Sequence, residues 1–157
     1  MQTNPGSVLM IEVGAGELID KITILRIKRE RIADPAKRHN VVHELGVLQA
    51  ASEQHLAPSA ELTRLTAELQ TINETLWQVE DDIRDCEARA DFGATFIALA
   101  RSVYRLNDQR AVLGNGGRGP AAQSVRKGPV ATAVPAGRSA GGPHAGSAPS
   151  GAGRAVW

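Results

Sequence analysis

The chain has a single cysteine, Cys86, in 157 residues. It can form no internal disulfide, and such cysteine usage suits a reducing compartment. Phe, Trp and Tyr make up only 3% of the residues, and none is interleaved with the basic positions of the C-terminal stretch, where Trp157 alone closes the chain. That leaves no aromatic platform on which nucleic-acid bases would stack. Apolar runs such as Val8–Ile11 are far too short to span a bilayer. Met1–Ser7 carries no positive run ahead of an apolar stretch, so no secretory signal is expected. These absences point to a cytoplasmic protein. Acidic residues are missing altogether after Asp108.

That last absence divides the chain. Residues 1–113 hold 13 of the Lys and Arg against all 17 acids, a net charge of about −4, whereas residues 114–157 carry about +5. Five cations spread over 44 residues give only weak, salt-sensitive attraction to a polyanion, so nucleic acid is not an expected partner. Thirty of those 44 residues are Gly, Ala, Pro or Ser, with no apolar period. Such a segment buries too little surface to offset its ordering entropy, and disorder is expected from Gly114 onward.

What is present is helical periodicity. Val8–Val13 reads either as a short strand or as an extended lead-in covering residues 1–15. Gly14 and Gly16 break it before a helix opens at Glu17. Leu18, Ile22, Leu25 and Ile32 share one face of that helix, and Ile24 and Ile27 widen the apolar surface beyond one stripe. A helix this apolar needs neighbours on several sides. Asp34-Pro35 restarts the chain as an N-cap followed by Pro in the first turn; Val41, Val42, Leu45 and Leu48 follow. Pro58-Ser59 opens a third helix over about 59–89. There Leu62, Leu65, Leu69, Ile72, Leu76, Val79, Ile83 and Cys86 recur at alternating spacings of three and four, a heptad that packs at a shallow angle on a partner helix. Asn73, Trp77, Glu80 and Arg84 form a second stripe beside it. Asp91 can cap a fourth helix whose apolar face is Phe96, Leu99, Ala100, Val103, Leu106 and Leu113. The expected architecture is an all-α, antiparallel bundle of about four helices over residues 16–113, with a tail over 114–157.

Four segments carry a resemblance: Glu17-Leu-Ile-Asp-Lys-Ile-Thr-Ile-Leu25, Asn40-Val-Val-His-Glu-Leu45, Leu76-Trp-Gln-Val-Glu-Asp-Asp-Ile-Arg84, and Phe96-Ile-Ala-Leu-Ala-Arg-Ser-Val-Tyr-Arg-Leu-Asn-Asp-Gln-Arg-Ala111. Together they resemble a family of short bacterial proteins catalogued only as a domain of unknown function, over roughly residues 8–113. The resemblance implies a mostly helical bacterial protein and supplies no activity or site. Members of that family continue the fourth helix into an ordered ending, whereas here Leu113 runs into Gly-Asn-Gly-Gly. A shifted reading frame in GC-rich DNA is the expected origin of the tail.

Several constellations suggest chemistry. Asp81-Asp82-Ile-Arg-Asp85 has the spacing of a magnesium–diphosphate motif, but Glu80 with Arg84 and Asp85 with Arg89 are ready i,i+4 ion pairs that account for the charges more simply. His39 and His43 stand one turn apart, near Glu44 and His55, without an evident third zinc ligand. Gly14 and Gly16 lack the third glycine of a dinucleotide loop. Cys86 lies at a core position among acids, which opposes thiolate formation. No metal or cofactor is expected. Arg101, Tyr104, Arg105 and Asn107, with Asp108 adjacent, are the candidate anion-binding residues, because two arginines one turn apart repel unless acids or a bound anion compensate them. Glu80, Asp81 and Asp20 are the acids expected to do so across the bundle.

The leading expectation is an interaction or scaffold module that associates with itself or with another helical protein. The rival is a small helical enzyme similar to the all-helical chorismate mutases, in which Arg26, Lys28, Arg101 and Arg105 would hold a dianionic substrate.

Overall fold

A computed structural model describes residues 10–116. The first nine residues of the lead-in, with part of the Val8–Val13 segment, and residues 117–157 of the expected tail lie outside the described residues. Four helices follow one another: α1 (Ala15–Arg31), α2 (Pro35–His55), α3 (Ala60–Ala88) and α4 (Ala94–Gly116). Residues 10–13 form no strand, and no strand occurs among the described residues. The all-α bundle is as the periodicity predicts. The four segments of the resemblance fall one on each helix.

The helix starts follow local chemistry. Asp34 accepts from the backbone N–H of Ala36 at 2.9 Å and of Lys37 at 3.2 Å, with Pro35 at the first helical position. Ser59 accepts from the Leu62 N–H at 3.0 Å. Both satisfy donors that the first turn of a helix leaves without partners. Helix α1 has only Gly14 at its cap, and Glu17 in its first turn and Lys28, Arg29 and Arg31 in its last complement its dipole. Asp91 departs from its expected role. Its carboxylate accepts from the Gly93 N–H at 3.2 Å, folding the loop one step before α4, while Gly93 offers its carbonyl to Ile97 in the capping position.

Helix α3 ends in a Schellman arrangement. The Asp91 N–H donates to the Cys86 carbonyl and the Ala90 N–H to that of Glu87. Ala90 takes φ 51°, the left-handed region that usually calls for glycine. The chain thereby reverses in a few residues, so α3 and α4 form an antiparallel hairpin.

The core is centred on α1. Leu18, Ile19, Ile22 and Leu25 pack with Val41, Leu45 and Leu48 of α2, with Leu56, and with Leu69 of α3. Helix α1 touches all three of the others, and α2 lies chiefly against α1. Its width of apolar surface, with Ile27 buried as well, has this cause: one helix serves several neighbours. The α1–α4 contact is antiparallel. At its end Gly16 meets the backbone of Gly114 so closely that a Cβ on Gly16 would stand 2.9 Å from the Gly114 Cα. The glycine after the lead-in serves helix–helix approach. Gly114 remains helical, and α4 continues three residues past Leu113.

Candidate functional site

Two regions of the α1–α3–α4 assembly concentrate polar chemistry, and they differ in burial. The inner one lies where the second stripe of α3 meets α1. Asn73, 1% exposed, donates through Nδ2 to Asp20 Oδ1 at 2.8 Å and to Thr23 Oγ1 at 2.9 Å. The Thr23 hydroxyl in turn donates to the Asp20 carbonyl at 2.7 Å. Asp20 Oδ2 also faces Arg110 Nε of α4 at 3.6 Å. One carboxylate therefore ties three helices together. A buried amide opposite an acid fixes helix register, because slippage would leave both groups without partners. Asn73 Oδ1 is buried without a hydrogen-bond partner.

Above this layer, Arg84 bonds Asp81 Oδ1 at 2.7 Å and Glu80 Oε2 at 3.3 Å. Burial raises the Glu80 carboxyl above its ordinary pKa; Arg84 opposes the shift most, Asp81 adds to it, and Arg110 lowers it further. The acids expected to compensate Arg101 and Arg105 thus have other cations: Glu80 and Asp81 take Arg84, and Asp20 takes Arg110. The Arg110–Asp20 pair is the polar contact that sequence reasoning missed. Its signal was the place of Arg110 on the same α4 face as Val103, Leu106 and Leu113, which must meet the bundle.

The outer region is the face of α4 turned from the core. Arg101, Tyr104 and Arg105 are exposed there, and the Arg105 guanidinium lies 5.9 Å from the centre of the Tyr104 ring, a cation–π contact. Hydrogen bonding from Arg101, then Arg105, holds the Tyr104 phenol below the usual tyrosine range. Neither arginine forms an ion pair among the described residues. Asn107 is separated from them. It donates to the Val103 carbonyl at 3.0 Å and lines a polar cavity of about 460 Å³ with Glu17, Asp20, Asp108 and Arg110.

An apolar groove of about 690 Å³ runs between α3 and α4, lined by Ala67, Thr71, Ile72, Val112 and Leu113 with Gln109, Glu68 and Asp108. At the opposite end of the hairpin Phe92 and Phe96 stack edge to face at 5.2 Å. Phe92, Ile97, Tyr104 and Val112 are each more than half exposed. Arg101 and Arg105, with Arg26 and Lys28, line neither cavity.

The remaining sequence candidates sit apart. His39 and His43 are exposed on α2. No group of three His, Cys, Asp or Glu stands where it could hold a metal among the described residues. Asp82 accepts from Gln78 at 2.9 Å, and Asp85 is exposed. Arg89 turns to the sulfur of Cys86 at 3.8 Å instead of pairing with Asp85. Among the described residues no helix is long and apolar enough to cross a membrane. No family model, curated protein or solved structure matches the chain.

Proposed function

We propose that the protein is a cytoplasmic helical interaction module that self-associates through the outer face of the α3–α4 hairpin. The observation that carries this is the state of α4: none of its residues from Ala94 to Gly114 is buried, although α1 buries seven of its 17. Ile97, Tyr104 and Val112, with the groove beside Ile72, offer an apolar surface that a second helical layer would cover. The long heptad of α3 supports the same reading, since Leu69, Leu76 and Cys86 are buried while Ile72 and Val79 stay half-buried.

Charge supports a second copy as the partner. Helix α3 carries eight acids against two arginines, and α4 carries three arginines against one aspartate. Two hairpins laid together bring unlike helices into contact and raise the encounter rate.

Sedimentation of the full chain over a concentration series tests the reading. A weight-average mass that rises with concentration in the wild type, and stays monomeric in Ile97→Asp/Val112→Asp, is expected. A wild-type monomer at high concentration overturns it.

A further inference from the structure

Resting on that reading, the geometry points to one specific contact: Arg101 and Arg105 of α4 dock on Asp82 and Asp85 of α3 in a second copy, reciprocally about a two-fold axis. Each pair lacks an oppositely charged partner within its own copy among the described residues. Both arginines are exposed one helical turn apart, with the Arg105 guanidinium 5.9 Å from the centre of the Tyr104 ring, so two cations stand side by side on one surface. Such a pair is repulsive in isolation and grips carboxylates through guanidinium forks.

The two aspartates match in spacing. Asp82 and Asp85 lie one turn apart, as Arg101 and Arg105 do, and the nearby acids Glu80 and Asp81 are already taken by Arg84. Counted from the turn between Ala88 and Ala94, the aspartates lie three and six residues from the turn and the arginines seven and eleven, so a two-fold axis perpendicular to the hairpin serves both pairs at the height midway between them. A second hairpin related by a two-fold axis at that height sets each pair against its opposite twice. Self-complementary interfaces of this kind close into dimers. Apolar contact through Ile97 and Tyr104 supplies affinity, and the charges choose the register and the partner helix.

A charge exchange tests the contact. Arg101→Glu/Arg105→Glu and Asp82→Arg/Asp85→Arg are each expected to weaken self-association by at least about tenfold, with helical circular dichroism unchanged. Mixing the two variants restores association, because both reciprocal contacts are then of opposite charge. The milder Arg101→Gln/Arg105→Gln variant weakens association less and reduces its salt sensitivity. If both reversals weaken association but their mixture does not recover it, the pairing is overturned. If neither weakens it while Ile97→Asp/Val112→Asp does, the pairing is overturned and the apolar interface stands. A monomeric wild type overturns both.

Discussion

Helices α1 and α4 run antiparallel against each other, close enough that Gly16 and Gly114 touch by backbone. Yet they are built for different surroundings. Helix α1 buries Leu18, Ile19, Ile22, Thr23, Leu25 and Ile27, and its neighbours enclose it on three sides. Helix α4 has apolar residues on two faces. Phe96, Leu99, Val103, Leu106 and Leu113 lean on the bundle half-covered, and Ile97, Tyr104 and Val112 face outward. The core cluster contains no α4 residue, and only Leu113 packs against its edge. The contrast separates a helix enclosed by the core from one that leaves apolar surface exposed.

The largest expected effect contrasts the two helices directly. Leu18→Ala removes a side chain 0% exposed and should cost about 2–5 kcal/mol in denaturant unfolding. Leu106→Ala, on a half-covered site, should cost about 1 kcal/mol. Equal losses would erase the distinction between the helices.

Asn73→Ala comes next. It strips two hydrogen bonds from the layer that joins α1, α3 and α4. A loss of about 1–3 kcal/mol is expected, since Asp20 keeps its charge but loses a buried donor. Calorimetry showing no change would mean that the layer does not set the packing of α4 on α1.

A gain is expected at the hairpin turn. Ala90 sits at φ 51°, where its Cβ is crowded, so Ala90→Gly should raise stability by about 1 kcal/mol. A lower melting temperature would contradict this account of the turn.

The smallest effect is on pH. Burial raises the Glu80 carboxyl above its ordinary value of 4.5, so the folded state holds that proton more tightly than the unfolded chain. Its contribution is therefore fully present below about the unfolded pKa and is lost as pH rises through the folded one. Stability of Glu80→Gln, measured from pH 4 upward (about the start of that window), should lack this decline. An identical pH profile in the variant would remove Glu80 as its source.

Much of the fold was legible because local signals decide it. Asp34-Pro35 and Ser59 place two helix starts within a residue, and the heptad locates α3. The width of apolar surface on α1 announced that several helices would enclose it. What could not be read was which cation meets which acid. Arg110 shares the apolar face of α4 with Val103, Leu106 and Leu113, which marks it as inward, but only the rotation of α4 on the bundle decides that Asp20 is the acid it meets. The same rotation separates Asn107 from Arg101, Tyr104 and Arg105. Periodicity marks the apolar face of α4 but not how completely a neighbour covers it, so its openness emerged only in three dimensions.

The most direct test is hydrogen exchange of the full chain at low and high protein concentration. Local opening follows buried contact, so in dilute solution amides of α4 should exchange faster than those of α1. At high concentration α4 protection should rise, strongest around Ile97–Arg105, while α1 stays unchanged. Equal protection of the two helices when dilute, with no dependence on concentration, would contradict the claim that α4 is the open, associating face.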